Sequence, residues 1–445
     1  MRVLVLVDGE HYPPVTRWGI DVARDRGLEP VAALLVGGLE KLDPGAPPDL
    51  GVPLRTVTGD PMAALAASID ELAPAGLDGV LDLSDEPVLG YRERMELAAI
   101  ALARGLPYLG GDFRLDPPIE GPALAAATLA VIGTGKRTGK TAIAGEVART
   151  AAATGRDPIV VAMGRGGPPE PQVAEAGTVT LDRLLELVRA GQHAASDYLE
   201  DAVTTGVTTI GARRAGGGLA GRPVATNVRE AAELAAARDP GLVVLEGSGS
   251  AVPSVPWDAG ILVVPASAPL EYVAGYLGPF RLLLSDLVVA TMADSPAGLE
   301  NLPALRSHVR RLHGDARLIV TDFHPQPLGD VEGKDVFFTT TAPGPAAARQ
   351  AGILERNHGC RVVGWSASLA DRAELARELD GAGGYQVLLT ELKAAAVDVA
   401  CERALARGAQ VVFVDNRAVV LEGEPDLGDA VRWTIELAVE RKARR

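Results

Sequence analysis

The chain has 445 residues, 47% of them hydrophobic and 23% charged, with a net charge of −15. This is ordinary globular material, long enough for two to four domains, and its negative balance argues against nucleic acid as a bulk partner. A polyanionic substrate would need a local basic site set against that global field. Cys360 and Cys401 form no disulfide framework and lack metal-ligand spacing. The opening MRVLVLVDGEH is too short an apolar run for a secretion signal and reads as a buried strand. The apolar stretch from Leu242 to Leu270 is broken by Glu246, Asp258 and prolines, so no bilayer span is expected. The expectation is a soluble, cytoplasmic protein without a membrane partner.

In chain order, residues 1–120 read as an N-terminal Rossmann-like domain. Strands fall at Val3–Val7, Val31–Val36 and Val80–Leu83, with helices near Val15–Arg26 and Tyr91–Arg104. The Gly-, Pro- and Asp-rich loop from Gly110 to Pro122 marks a boundary. Residues 123–335 alternate again, with strands at Leu129–Ile132, Ile159–Met163, Val207–Gly211, Leu242–Glu246, Ile261–Pro265, Leu287–Thr291 and Arg317–Thr321. Near-continuous apolar strands predict a doubly wound parallel sheet covered on both faces. Residues 343–445 give a C-terminal α/β domain with strands near Arg361–Val363, Val387–Thr390 and Val411–Val414. Its helices are predicted at Ala394–Ala406 and Asp426–Lys442. Nothing in the sequence is a dimer signature, and a homodimer is left open.

The most informative stretch is Gly133, Thr134, Gly135, Lys136, Arg137, Thr138, Gly139, Lys140 and Thr141. A strand, a Gly-rich loop, Gly-Lys-Thr and a helix are the context of a phosphate-binding loop. Glycines let backbone N–H groups approach an anion, and the helix start adds partial positive charge. Lys140 can reach the β- and γ-phosphates of ATP, and the Thr141 hydroxyl can ligate Mg²⁺. The usual spacing puts a glycine at position 134, where this chain has Thr134, with Gly133 one residue early. A plain Gly-rich turn would leave Lys136, Arg137 and Lys140 crowded together without an anion.

A second marker is the strand Leu242–Leu245 running into Glu246, Gly247, Ser248 and Gly249. Ligands of open α/β sheets bind at the carboxyl ends of strands, so Glu246 is placed to hold Mg²⁺ or to position a substrate. Arg165 follows strand Ile159–Met163 at the same edge. Arg213, Arg214 and Arg222 sit among glycines in loop 211–222, and Arg suits bidentate phosphate binding. Glu10, His11 and Lys41 follow strands of the first domain and are weaker substrate candidates. Glu170 fits a solvated turn as well as a metal or substrate role. His193, His308, His313, His324 and His358 form no metal-ligand set and read as structural.

The P-loop together with the strand ending Glu-Gly-Ser-Gly resembles dethiobiotin synthetase and related ATPases with a deviant phosphate loop. Over nearly the whole chain, five loops are similar to those of the cyclic 2,3-diphosphoglycerate synthetase family. They are Asp8–Pro13, Gly37–Lys41, the P-loop, Gly164–Pro171 and Gly211–Gly218. The resemblance implies that ATP and Mg²⁺ close 2,3-diphosphoglycerate into an intramolecular pyrophosphate, releasing ADP and phosphate. It implies catalytic or positioning roles for Lys136, Arg137, Lys140 and Arg165. It implies Thr141 and Glu246 at the metal, and Glu10, His11, Lys41, Arg165, Arg213, Arg214, Gly247 and Ser248 near the substrate. Two rivals share the loop: a kinase of a phosphorylated acid such as 2-phosphoglycerate, and a nucleotide-switch ATPase. Lys136 lies one position later than the early loop lysine of the switch class. The C-terminal third matches no motif.

Overall fold

The structure is a computed structural model that describes residues 1–43, 46–57 and 59–445. Its first sheet is built from β1 (Arg2–Asp8), β2 (Glu29–Gly37), β3 (Leu54–Thr56), β4 (Gly79–Asp82), β5 (Tyr108–Leu109) and β6 (Arg114–Leu115). The spatial order is β3-β2-β1-β4-β5-β6, parallel except for the β5–β6 pair. Residues Val3–Val7 are almost fully buried because helices cover both faces.

The second sheet has thirteen strands. It begins with β7 (Thr128–Gly133), β8 (Pro158–Gly164), β9 (Gln172–Ala174), β10 (Thr209–Ala215), β11 (Ala225–Thr226), β12 (Leu242–Glu246), β13 (Ala259–Pro265), β14 (Leu287–Thr291) and β15 (Arg317–Pro327). It continues with β16 (Asp335–Thr339), β17 (Arg361–Ser366), β18 (Val387–Glu391) and β19 (Gln410–Val420). The order is β11-β10-β8-β12-β7-β13-β14-β15-β19-β18-β16-β17, with β9 paired to β10. In the P-loop half β10, β8, β12, β7, β13, β14 and β15 run parallel, with β9 and β11 antiparallel to β10, and β19, β18, β16 and β17 run parallel to one another. The two halves meet at a single antiparallel seam, in which Thr321–Pro327 of β15 pairs with Val414–Val420 of β19.

That seam explains why β15 runs six residues past the predicted Thr321. Beyond Val320 its only paired neighbour is β19, so Pro325 and Pro327 can turn their missing N–H groups to the free side. β19 likewise runs on from the predicted Val414 through Asp415, Asn416 and Arg417. Strand β16 and helix Gly344–His358 were not predicted at all. The predicted helix Ala394–Ala406 is instead a π-helix, Ala396–Cys401, running into a short α-helix, Glu402–Ala406. The last helix, Leu427–Ala443, returns to the P-loop half and packs beside helix Lys140–Ala153 on one face of the sheet. No helix among the described residues is long and apolar enough to cross a membrane.

Candidate active site

Strand β7 ends at Gly133, and helix Lys140–Ala153 starts seven residues later. The Lys140 side chain folds back over the loop, where Nζ donates to the Gly135 carbonyl at 2.6 Å and to Thr138 Oγ1 at 3.2 Å. A Cβ on residue 133 would meet the Lys140 stem at 3.0 Å and Thr138 Oγ1 at 2.8 Å. Glycine is therefore needed at 133, which accounts for the shifted spacing of the motif. Gly139 has φ +94°, and a Cβ there would enter the Phe323 ring. The Thr291 hydroxyl donates to the Thr138 carbonyl at 2.8 Å and pins the loop to β14. Burial pulls Lys140 down to about pH 8 for its proton, opposed by Glu246 and Asp197.

Glu246 ends β12 and is 4% exposed. Thr141 Oγ1 donates to its Oε1 at 2.7 Å; Oε2 is buried with no amide, hydroxyl or cationic donor, and the Asp201 carboxyl lies within hydrogen-bonding reach of the Glu246 side chain. Burial first, and then the neighbouring Asp197, push its pKa up to about 7. Each fully buried aliphatic side chain contributes about 1.5–3 kcal/mol. The apolar run Leu242–Leu245 can therefore offset the several kcal/mol that burying one carboxylate costs. Asp201 is wholly buried on helix Asp197–Thr205; no amide, hydroxyl or cationic donor reaches its carboxyl oxygens, and its hydrogen-bonding partner is the Glu246 side chain. Burial and Glu246 hold it well above the usual carboxylate range, so it is a neutral acid.

A cavity of about 460 Å³ opens in front of the loop. Residues Lys136 to Thr141, Arg165, Gly247 and Ser248 line it on the P-loop side. Helix Asp197–Thr205 contributes Asp197 and Glu200, and Gly164 leaves the Asp197 carboxylate room to approach the end of β8. The opposite wall comes from the C-terminal half: Asp322 and Phe323 of β15, Arg349 of helix Gly344–His358, Glu391 and Lys393 at the end of β18, and Asn416 of β19. Glu391 is saturated. It accepts from the Thr340 hydroxyl at 2.8 Å, the Thr341 N–H at 2.9 Å, the Thr341 hydroxyl at 2.8 Å and Asn416 Nδ2 at 2.7 Å. Burial alone would raise its pKa, but Lys393 and these donors hold it below the ordinary value.

The remaining sequence candidates are placed as follows. Thr134 is buried with an unpartnered hydroxyl. Arg214 donates to the carbonyls of Ser248, at 2.8 Å, and Gly216, at 2.6 Å, just behind the cavity lining. Arg213 is exposed, donates to the Gly167 carbonyl at 3.2 Å and is not among the residues lining the cavity. Glu10, His11 and Lys41 are not cavity-lining residues. They belong to the first sheet's edge, where Asp8 accepts from His11 Nδ1 at 2.8 Å and Lys41 pairs with Glu40. Conversely, His193, read as structural, lines the cavity. Sequence reasoning also passed over Asp197, Glu200, Asp322, Arg349, Glu391 and Lys393. The available signal was Thr390-Glu391, a second strand ending in a carboxylate like Leu245-Glu246.

Among the described residues no group of three or more His, Cys, Asp and Glu is arranged to hold a metal by itself. Mg²⁺ needs no such cage, since it commonly takes one or two protein oxygens with substrate phosphates and water. The Thr141 hydroxyl and Glu246 Oε2, which no amide, hydroxyl or cationic donor reaches, fit that donor set.

Comparison with known proteins accords with this geometry. Family models described as the N-terminal, P-loop and C-terminal domains of cyclic 2,3-diphosphoglycerate synthetase match residues 2–116, 128–322 and 327–417. A protein named cyclic 2,3-diphosphoglycerate synthetase from Rubrobacter xylanophilus is 47% identical over 423 residues, covering 94% of each chain. Its namesake from Methanothermobacter thermautotrophicus is 41% identical, covering 98% of this chain and 96% of its own. The one from Methanothermus fervidus is 40% identical, covering 99% and 98%. The chain belongs to the cyclic 2,3-diphosphoglycerate synthetase family and carries the P-loop of an enzyme that uses ATP.

Proposed function

We propose that this protein is a ligase that uses ATP and Mg²⁺ to cyclise 2,3-diphosphoglycerate, with ADP and inorganic phosphate as the other products. The observation that carries this is the single cavity joining Lys140, Thr141 and Glu246 to further cations, with room for a nucleotide's phosphates beside a small anionic acceptor. ATP transfers its γ-phosphoryl group to one phosphate of the acceptor, and ADP leaves. An oxygen of the acceptor's second phosphate then attacks the first phosphate's phosphorus. The P–O bond to the transferred group breaks, and inorganic phosphate departs with the bonding electrons. A phosphate dianion is already nucleophilic, so no strong general base is required, and holding both groups in one molecule supplies much of the acceleration.

Lys140 follows the transferring phosphoryl group and neutralises its charge, with Lys136 and Arg137 beside it. Their loop is held by the Thr291–Thr138 bond. Bound Mg²⁺, held by Thr141 and Glu246, would neutralise charge on the nucleotide phosphates. Arg165 lines the cavity at the end of β8 and is suited to an acceptor phosphate. Its replacement by Ala should raise the acceptor's KM more than that of ATP.

The test supplies purified protein with ATP, Mg²⁺ and 2,3-diphosphoglycerate. ADP and free phosphate should appear in equal amounts, and both acceptor ³¹P resonances should move to the pyrophosphate region. The acceptor's mass should change only by loss of one water. An acceptor heavier by one phosphoryl group, without free phosphate, would mean a simple kinase. Phosphate release with an unchanged acceptor would mean a switch ATPase.

A further inference from the structure

The cations at the P-loop are matched to the nucleotide, but 2,3-diphosphoglycerate brings two phosphates and a carboxylate of its own. Those groups need separate partners, and the wall facing the P-loop holds two. Arg349 donates from Nη2 to Asp322 Oδ2 at 3.2 Å, and its Nε is buried without a partner. Arg349 lines the cavity, and its planar guanidinium carries five N–H donors, more than the Asp322 contact uses. Lys393 Nζ lies 3.0 Å from Glu200 Oε1 and lines the same space. Burial opposes its charge, while the neighbouring Glu200 and Glu391 favour it.

The backbone around Lys393 is unusual as well. Ala394 has φ +49°, and a π-helix starts two residues later. Five non-glycine residues have positive φ among the described residues, and three of them, Arg137, Met292 and Ala394, line this cavity. Such conformations persist where surrounding structure enforces them, and they gather at ligand sites. Glu391 is already saturated by donors from Thr340, Thr341 and Asn416, so it can stand beside Lys393 without presenting an unpaired carboxylate to an incoming anion.

We propose that Arg349 and Lys393 bind the anionic groups of the acceptor, making the C-terminal half the substrate-recognition wall of the site. This rests on the cyclisation reading for the acceptor's identity. It moves recognition away from loop 211–222, whose Arg213 does not line the cavity, to residues of the C-terminal half.

The experiment measures KM for 2,3-diphosphoglycerate and for ATP, together with calorimetric binding of 2,3-diphosphoglycerate to nucleotide-free protein. The variants are Arg349→Met, Lys393→Arg and the double variant Lys393→Met/Glu200→Gln. The double variant removes the ion pair as a unit, so no buried carboxylate is left alone to unfold the protein. Arg349→Met and the double variant should each raise the acceptor KM and Kd at least tenfold and leave the ATP KM within twofold. Lys393→Arg, which keeps the charge, should recover most of the affinity. Unchanged acceptor KM and Kd in folded variants would overturn the proposal, as would a rise confined to ATP. Wild-type protein that binds the acceptor, loses that binding in the variants, yet forms no cyclic product would uphold this assignment and sink the cyclisation reading alone. Failure of wild type to bind the acceptor would sink both.

Discussion

Two glutamates end strands on opposite sides of the antiparallel seam and line the same cavity, yet their surroundings differ. Glu246, at the end of β12, has one oxygen bonded to Thr141 and the other buried with no amide, hydroxyl or cationic donor, beside the Asp201 carboxyl. Glu391, at the end of β18, takes four donors from Thr340, Thr341 and Asn416. Burial acts on both. At Glu246 burial and the neighbouring Asp197 outweigh the bonds from Thr141 and Asp201 and the charge of Lys140, and the pKa rises to about 7, whereas at Glu391 Lys393 and the donors overcome burial and the pKa falls. A buried carboxylate left short of donors is a site waiting for a cation or a proton. One that is saturated is a structural tie, here between β18, the turn after β16, and β19.

The largest effect should come from the loop that serves Glu246's side of the cavity. Lys140→Ala should cut ATP turnover by about a thousandfold or more, the scale seen when a donor to transition-state charge is removed. Its melting temperature should stay near that of wild type, because the buried ammonium is already destabilised by desolvation. Near-normal turnover in a folded K140A protein would remove the P-loop assignment.

Next in size is the paired substitution that separates the two carboxylates. Glu246→Gln keeps the shape and removes the charge, so the Mg²⁺ concentration for half-maximal activity should rise roughly tenfold, with stability unchanged or improved. Glu391→Gln should do the reverse. Its Mg²⁺ requirement should not move, while denaturation should come earlier by about 1–3 kcal/mol as charge-assisted bonds are lost. Identical Mg²⁺ titrations for wild type and Glu246→Gln would reduce Glu246 to another strand-end tie.

Glu246 was legible in the sequence because an apolar run and a Glu-Gly-Ser-Gly tail lie within eight residues. The P-loop was legible for the same reason: its chemistry is local. The opposite wall was not, because it depends on pairing β15 with β19 across nearly a hundred residues. Both strands look finished too early. Prolines 325 and 327 interrupt β15, and Asp415, Asn416 and Arg417 interrupt the apolar run of β19. Only an antiparallel seam open on one side makes those residues acceptable in a strand. Without it, Arg349 and Lys393 read as surface charges. Asp197, Glu200 and Asp201 open an amphipathic helix, where acidic residues are expected for the dipole alone, so nothing in their spacing marks them as cavity or core residues. The first-domain candidates lie outside the cavity lining. Glu10, His11 and Lys41 do lie at a strand edge, but neighbouring carboxylates engage His11 and Lys41.

The smallest expected effect is also the sharpest form of the contrast, because the two glutamates should tilt stability with pH in opposite directions. Glu246 is held above its ordinary value of 4.5 at about 7. Between those two pH values the folded metal-free protein holds a proton that the unfolded chain has lost. Its contribution is therefore fully present below 4.5 and disappears as pH rises through about 7. Glu391 is held below 4.5, so its contribution is present above 4.5 and lost as pH falls through its folded pKa. Asp197, Glu200 and Asp201 are also raised, and Lys140 is lowered to about 8, so the whole-protein curve mixes their titrations. The informative quantity is the difference between wild type and each variant. Denaturation midpoints measured from pH 4 to 8 without metal should converge for wild type and Glu246→Gln at the acid end. They should separate in favour of the variant toward neutral pH. Adding Mg²⁺ should close that gap from the neutral side, since a cation at Glu246 Oε2 stabilises the ionised carboxylate that burial disfavours. A gap that Mg²⁺ leaves untouched would mean that Oε2 does not serve a cation, and the two strand-end glutamates would differ in hydrogen bonding alone.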